Sequence, residues 1–187
     1  TSKNIKNYFS NNNLIPINNN LIDQIFKFKE KKTKPFYSLE KNITGETHQS
    51  KILKITNFLK SNNTDYLFVS APENIAWLLN IRGYDNPNSP IPNARLIIGR
   101  NKKLFLITKK NNTKKIIKEK KLNKNQVINI KDISKLINNL KGKNFIIDNK
   151  TCSIFHEDII KSKFKILDKD DPIYKLKSIK NSYEINH

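Results

Sequence analysis

The sequence predicts a three-layer α/β domain with a mixed β-sheet flanked by helices. Three observations carry that reading. Strand-like and helix-like runs alternate between residues 45 and 167, the pattern of a sheet covered on both faces. One strand, "DYLFVS" (65–70), is a nearly continuous apolar run, as a central strand buried on both sides requires. Two further runs, "ARLIIGR" (94–100) and "KLFLIT" (103–108), meet through "GRNKK", a tight hairpin that makes the sheet mixed, not purely parallel.

Taken in order, residues 1–40 read as a connector. "KNIKNYFSNNN" is expected as a short helix, "LIPI" (14–17) as a short strand, and "NNNLIDQIFKFKEKKTKPFY" as a mostly extended arm pinned by its apolar residues. After Gly45, Ile52, Ile55, Phe58 and Leu59 recur at helical spacing, and Asn62-Asn63 end that helix. Pro72 suits the first turn of "PENIAWLL", where its missing N–H costs nothing. Arg82 and Gly83 are expected to end this helix, the first by complementing the dipole and the second by a left-handed exit.

Beyond the hairpin, "KKIIKEKK" reads as a short basic helix and "QVINI" (126–130) as a strand. "DISKLINNLKG" opens with Asp132 as cap and stops at Gly142. "NFIID" (144–148), "CSIFHEDIIKS" and "FKIL" (164–167) follow as strand, helix and strand. "DPIYKLKSIKNSYEINH" reads as one helix entered near Pro172, with Ile173, Leu176, Ile179 and Tyr183 at helical spacing and no stop signal.

The formal charge of +20 raises a polyanion partner as one reading. Yet 33 of the 36 basic residues are Lys, spread along the whole chain, and Lys, Asn and Ile rise together as under AT-rich codon usage. A surface that reads phosphate or bases wants the planar fork of Arg, so no specific nucleic-acid partner is expected. A single cysteine, Cys152, excludes an internal disulfide and fits a reducing cytoplasm. No apolar run approaches the roughly 20 residues that cross a bilayer, and no secretory signal opens the chain. Met is absent throughout, position 1 included, from which an excised piece of a longer protein is expected.

Catalytic groups are sparse. His48, His156 and His187 have no second ligand at metal spacing, and Cys152 with His156 supplies only two donors. Four glycines build no phosphate loop, and no Ser sits in an elbow motif. Asp170 and Asp171 read as caps for the last helix. Asp148, at a strand end, is either a functional carboxylate or a turn residue. No catalytic residue and no metal ligand is therefore assigned.

One stretch stands apart. "NIAWLLNIRGYDNPNSPIP" (74–92) holds the sole Trp, Trp77, and Pro87, Pro90 and Pro92, three of the seven prolines. Trp77 reads as core packing, and the prolines make "YDNPNSPIP" a rigid, extended loop, suited to walling a cleft at a sheet edge.

These residues also carry a resemblance. "ENIAWLLNIRGYDNPNSPIPNARLII" resembles the D-x-I-A-W-L-x-N-x-R-G-x-D-x-x-x-x-P run in the second domain of long-form Xaa-Pro aminopeptidases, the aminopeptidase P family. "LIPINNNLIDQIF", "ITGETHQSKI" and "DPIYKLKSIKNSYEINH" are similar to three further family segments, in the same order. Phe26 stands where Trp is common, Ser178 where Ala is, and Pro72-Glu73 replaces Leu-Asp. The resemblance implies a three-domain enzyme. Residues 1–40 would be the tail of a preceding domain and linker. Residues 41–170 would be a creatinase N-terminal-like domain, and 171–187 the first helix of a pita-bread catalytic domain. That last domain would supply two Asp, one His and two Glu for two divalent metal ions, typically manganese, which activate water against the bond before proline. Those ligands fall outside 1–187.

Implied partners are this chain's own C-terminal catalytic domain, peptides with proline second, and a second copy bound through that domain. The family places the loop beside the active site, making Asn80, Arg82 and Asp85 the substrate-cleft candidates. The other reading is that they tie the loop to its own domain. Two competing functions stay open: a superfamily member with another substrate or none (a prolidase, creatinase or binding protein), and a basic nucleic-acid-binding domain.

Overall fold

A computed structural model describes residues 8–9, 17, 21–26, 34–119 and 121–186. Its first half contains α1 (Leu21–Ile25), β1 (Tyr37–Ser38), α2 (Lys41–Thr44), α3 (His48–Ser61), β2 (Tyr66–Val69), α4 (Pro72–Leu79) and β3 (Ile81–Arg82). Then come β4 (Arg95–Gly99), β5 (Leu104–Ile107), α5 (Lys114–Lys118), β6 (Val127–Ile128) and α6 (Ile133–Asn139). The remainder is β7 (Asn144–Ile147), α7 (Ile154–Lys161), β8 (Lys165–Asp168), α8 (Pro172–Ser178) and α9 (Ser182–Asn186).

Six strands form one mixed sheet in the order β6-β5-β4-β2-β7-β8. The hairpin sets β4 antiparallel to β5, and β4 is also antiparallel to β2. The pairs β2–β7, β7–β8 and β5–β6 are parallel. Every side chain of β2 is buried, because alternate residues enter opposite cores. Leu67 and Val69 join Ile52, Ile55, Leu59, Ile75 and Leu78 from α3 and α4. Tyr66 and Phe68 join Ile133, Ile137, Ile160 and Phe164 from the α6 and α7 side. Each fully buried Leu, Val or Phe stabilises the fold by ~1.5–3 kcal/mol. Three layers follow directly.

Several local expectations are corrected. In the connector, 21–25 is a helical turn and not extended chain, and Leu21, Ile22, Ile25 and Phe26 are exposed, whereas Phe36, in the same expected arm, is fully buried in the core. A single turn has no period to read. Residues 14–16 of the strand expected at 14–17, and most of the helix expected at 3–13, lie outside the described residues. Helix α4 stops at Leu79, and Asn80, at φ 51° and ψ 44°, makes the left-handed exit assigned to Gly83. Ile81, 1% exposed, is drawn into the core, and β3 pairs with β1. Asp132 makes no capping bond; Asn129 accepts from Lys131 N and caps the preceding 3-10 turn. The C-terminal stretch is two helices with a break after Ser178. There Asn181 Oδ1 accepts from Glu184 N and Glu184 Oε2 accepts from Asn181 N, at 3.0 and 3.1 Å. Such a capping box starts a new helix.

Candidate functional site

The proline loop is closed, not extended. A bridge joins Asn86 to Ser89, and Gly83 N donates to Pro90 O at 3.0 Å. A Cβ on Gly83 would sit 2.6 Å from Pro92 Cα, so glycine is required by close approach and not by a positive φ. Asp85 holds the loop shut. Its Oδ2 accepts from Asn93 N at 2.7 Å and its Oδ1 from Asn112 Nδ2 at 3.4 Å. With Pro72 from the first turn of α4, the residues Asp85, Pro87, Ile91, Pro92 and Asn93 line a concavity of about 460 Å³. It lies just beyond the carboxyl end of β2, where open α/β sheets hold their ligands.

The three predicted cleft residues do not converge. Asp85 alone lines this concavity. Asn80 is 3% exposed and both ends of its carboxamide are bonded within the domain. Lys51 Nζ donates to Oδ1 at 2.8 Å, while Nδ2 donates to Glu46 O at 2.7 Å and Thr44 Oγ1 at 3.2 Å. Arg82 Nη1 donates to Ala76 O and Ile81 O at 3.2 and 2.9 Å. It thus satisfies one carbonyl in the last turn of α4 and one in β3, and burial lowers the proton affinity of its guanidinium. In this geometry both side chains tie the loop's root to its own domain.

A second concavity of about 400 Å³ lies between Ser38–Lys41 and the start of α3, and Asn80, His48, Glu119 and Lys121 line it. Burial, aided by Lys121, pushes His48 down to about 4, so its imidazole is neutral at neutral pH. At the carboxyl ends of β2 and β7, Asp148 accepts from Lys150 N and Asp171 N. Asp171 accepts from Ile173 N and Asn74 Nδ2, which makes it a helix cap as expected, whereas Asp170 does not cap the helix and pairs with Lys150 at 2.7 Å. Of the two readings left open for Asp148, the turn residue fits these bonds. Cys152 is buried, and burial first, then Glu157, pushes its thiol up to about 12. That is the opposite of a nucleophile's environment. Among the described residues, no group of three or more His, Cys, Asp or Glu could hold a metal ion, and no helix is long and apolar enough to cross a membrane.

Sequence reasoning missed Lys51, 1% exposed. Its ammonium donates to Trp77 O at 3.0 Å and lies 4.0 Å from the centre of the Trp77 ring. The signal was available: position 51 is in helical phase with Ile55 and Leu59, so a charge falls on the apolar face of α3. Trp77, read as core packing, does pack against the core, but its indole N–H also donates to Glu184 at 3.1 Å.

Residues 28–184 match the family described as the Creatinase/Prolidase N-terminal domain. Xaa-Pro aminopeptidase ApepP of Drosophila melanogaster is 30% identical over 181 residues, covering 92% of this chain and 29% of that protein. Xaa-Pro aminopeptidase 1 of Dictyostelium discoideum is 31% identical over 184 residues, covering 89% and 27%. This chain therefore spans less than a third of the length of these relatives. Among solved structures, X-prolyl aminopeptidase from Caenorhabditis elegans, described as a cytosolic enzyme with a di-nuclear active site, matches 92% of this chain and 29% of its own. The TM-score is 0.76 at 19% identity, a likeness of fold.

Proposed function

This chain belongs to the creatinase/prolidase N-terminal domain family, and on that premise we propose that it is the non-catalytic part of a Xaa-Pro aminopeptidase. The parent enzyme removes an N-terminal residue that precedes proline. The observation that carries the reading is similarity to Xaa-Pro aminopeptidases along about nine-tenths of the chain. In this reading 1–40 is the tail of a preceding domain, 41–170 the family domain and 171–187 the entry to a catalytic domain. Two divalent ions, manganese in our reading, bind in that further domain. The donor sets described above do not fit them, and no step of the reaction is assigned to this chain's residues.

What this part contributes is a wall. The concavity is lined by Pro72, Pro87, Ile91 and Pro92 beside Asp85, Asn86 and Asn93, on a loop that Asp85 and Gly83 fix in place. Its one charged group is already bonded within the domain, which favours shape over charge as its mode of contact. Its partners are the catalytic domain, peptides with proline second, and a second copy joined through that domain, in the cytoplasm. The test uses the natural reading frame continued past residue 187. That longer protein and the 187-residue chain are assayed with manganese on a peptide having proline second. Release of the first residue by the longer protein alone is expected. Failure of both to cleave would overturn the aminopeptidase reading.

A further inference from the structure

Helices α8 and α9 are held by different forces. Ile173 of α8 is fully buried and Leu176 packs against the same core. No residue of α9 is buried, and Ile179, Tyr183 and Ile185 are 70%, 49% and 70% exposed. Within the described residues α9 brings no buried face to this domain. Its position against α2 therefore rests on polar fastenings. Asn181 Nδ2 donates to Thr44 O at 3.0 Å, and Trp77 Nε1 donates to Glu184 Oε1. Gly45 makes the approach possible, since a Cβ there would lie 2.4 Å from Asn181 Oδ1.

The Trp77 contact is reinforced from its far side. Lys51 stands over the ring face while Glu184 takes the N–H at the ring edge. A cation over the face draws electron density from the indole, which makes its N–H a better donor. The Asn181 N–H, the indole and Lys51 together outweigh the effect of burial and hold the Glu184 carboxyl below its usual range. Three elements, α3, α4 and α9, thus meet at one aromatic ring.

We propose that α9 is a latch that opens and closes on α2 and α4 as a unit separate from α8, with the Trp77 indole and the Glu184 carboxylate as its catch and Lys51 reinforcing it. Elements held by few apolar contacts are those that open locally, well below global unfolding. On the reading that the chain continues into a catalytic domain, the closed latch fixes the direction in which it leaves; the latch itself needs no such domain. The break at 179–181 is its hinge, between an anchored helix and a fastened one.

Amide exchange measured by NMR on the 187-residue chain tests this without any peptidase assay. The amides of Glu184 and Ile185, which bond to Asn181, are compared in the wild type, Glu184→Gln and Trp77→Phe. Phe keeps the ring under Lys51 and removes only the indole donor. Loss of a charge-assisted hydrogen bond should speed exchange at both amides by about tenfold or more in Trp77→Phe. Glu184→Gln, which keeps a weaker acceptor, should give a smaller increase, and the amides of β2, β7 and α8 should stay unchanged in both. Unaltered exchange at 184 and 185 would overturn the proposal. So would acceleration that spreads equally into α8 and β2, because α9 would then not be a separate unit. Should Trp77→Phe fail to fold, Glu184→Gln, at the surface, decides between the same outcomes.

Discussion

Replacing Asn80 by Ala should destabilise the domain severely, and the size of the loss follows from its bonds. The Lys51 ammonium loses one of its two hydrogen-bond acceptors while staying buried, a charge-assisted bond that contributes ~1.5–3 kcal/mol. Glu46 O loses its Asn80 donor and Thr44 Oγ1 loses another, at ~1 kcal/mol for each neutral bond. Ala must also adopt the left-handed conformation that Asn tolerates, at a further ~1 kcal/mol. The sum is about 5 kcal/mol, roughly a third or more of the stability of an ordinary domain. With a urea slope of ~2 kcal/mol/M, the midpoint should fall by ~2.5 M. Asn80→Asp, which keeps an acceptor for Lys51 and tolerates the left-handed backbone, should fall between the two. The assay is urea unfolding of the 187-residue chain followed by the emission of its sole Trp. A midpoint shift below ~0.5 M for Asn80→Ala, at the same slope, would refute the argument that this side chain is an internal tie.

Gly83→Ala pushes a Cβ to 2.6 Å from Pro92 Cα, so the loop must part from its root; thermal unfolding should show a loss of ~1–3 kcal/mol. Cys152, buried with its thiol pushed up to about 12, should resist a thiol reagent at pH 8 in the native chain and react at once in denaturant; prompt native labelling would contradict its burial. For His48 the folded-state value of about 4 lies below the ordinary 6.5. Its stabilising contribution is then fully present above about pH 6.5 and lost as pH falls toward 4. His156, also lowered by burial, acts in the same direction, so His48→Gln should reduce the slope of stability against pH in that window without abolishing it.

The sheet was legible because its strands are long apolar runs and its main helices carry a period. β2 could be placed at the centre from "DYLFVS" alone, since only a strand covered on both faces has nothing polar to turn outward. Boundaries failed where two signals competed. Arg82-Gly83 looks like a helix end, but burying Ile81 gains more than a further turn, so Asn80 takes the left-handed position. "NSYE" (181–184) is a helix-start signal, yet the apolar spacing of Ile173, Leu176, Ile179 and Tyr183 ran straight across it. Lys51 could have been flagged by its phase on α3. The bond from Asn112 to Asp85 could not, since partners 27 residues apart leave no local trace.

The same geometry bears on how such a loop can act. A side chain whose donors and acceptors are all spent inside the domain has none to offer a ligand without breaking the structure that positions it. Asn80 is in that state, Arg82 gives two bonds to the carbonyls of its own helix end and strand, and both oxygens of Asp85 hold the loop closed. What lines the concavity is three prolines and Ile91, together with Asp85, Asn86 and Asn93. Proline fixes φ and gives no N–H, so three prolines in six residues remove both flexibility and competing donors from this surface. On the proposed reading such a wall would select by shape, and its charged residues would matter through the position of the loop. In a chain with 33 lysines, the planar and rigid residues gather where the structure has to hold still.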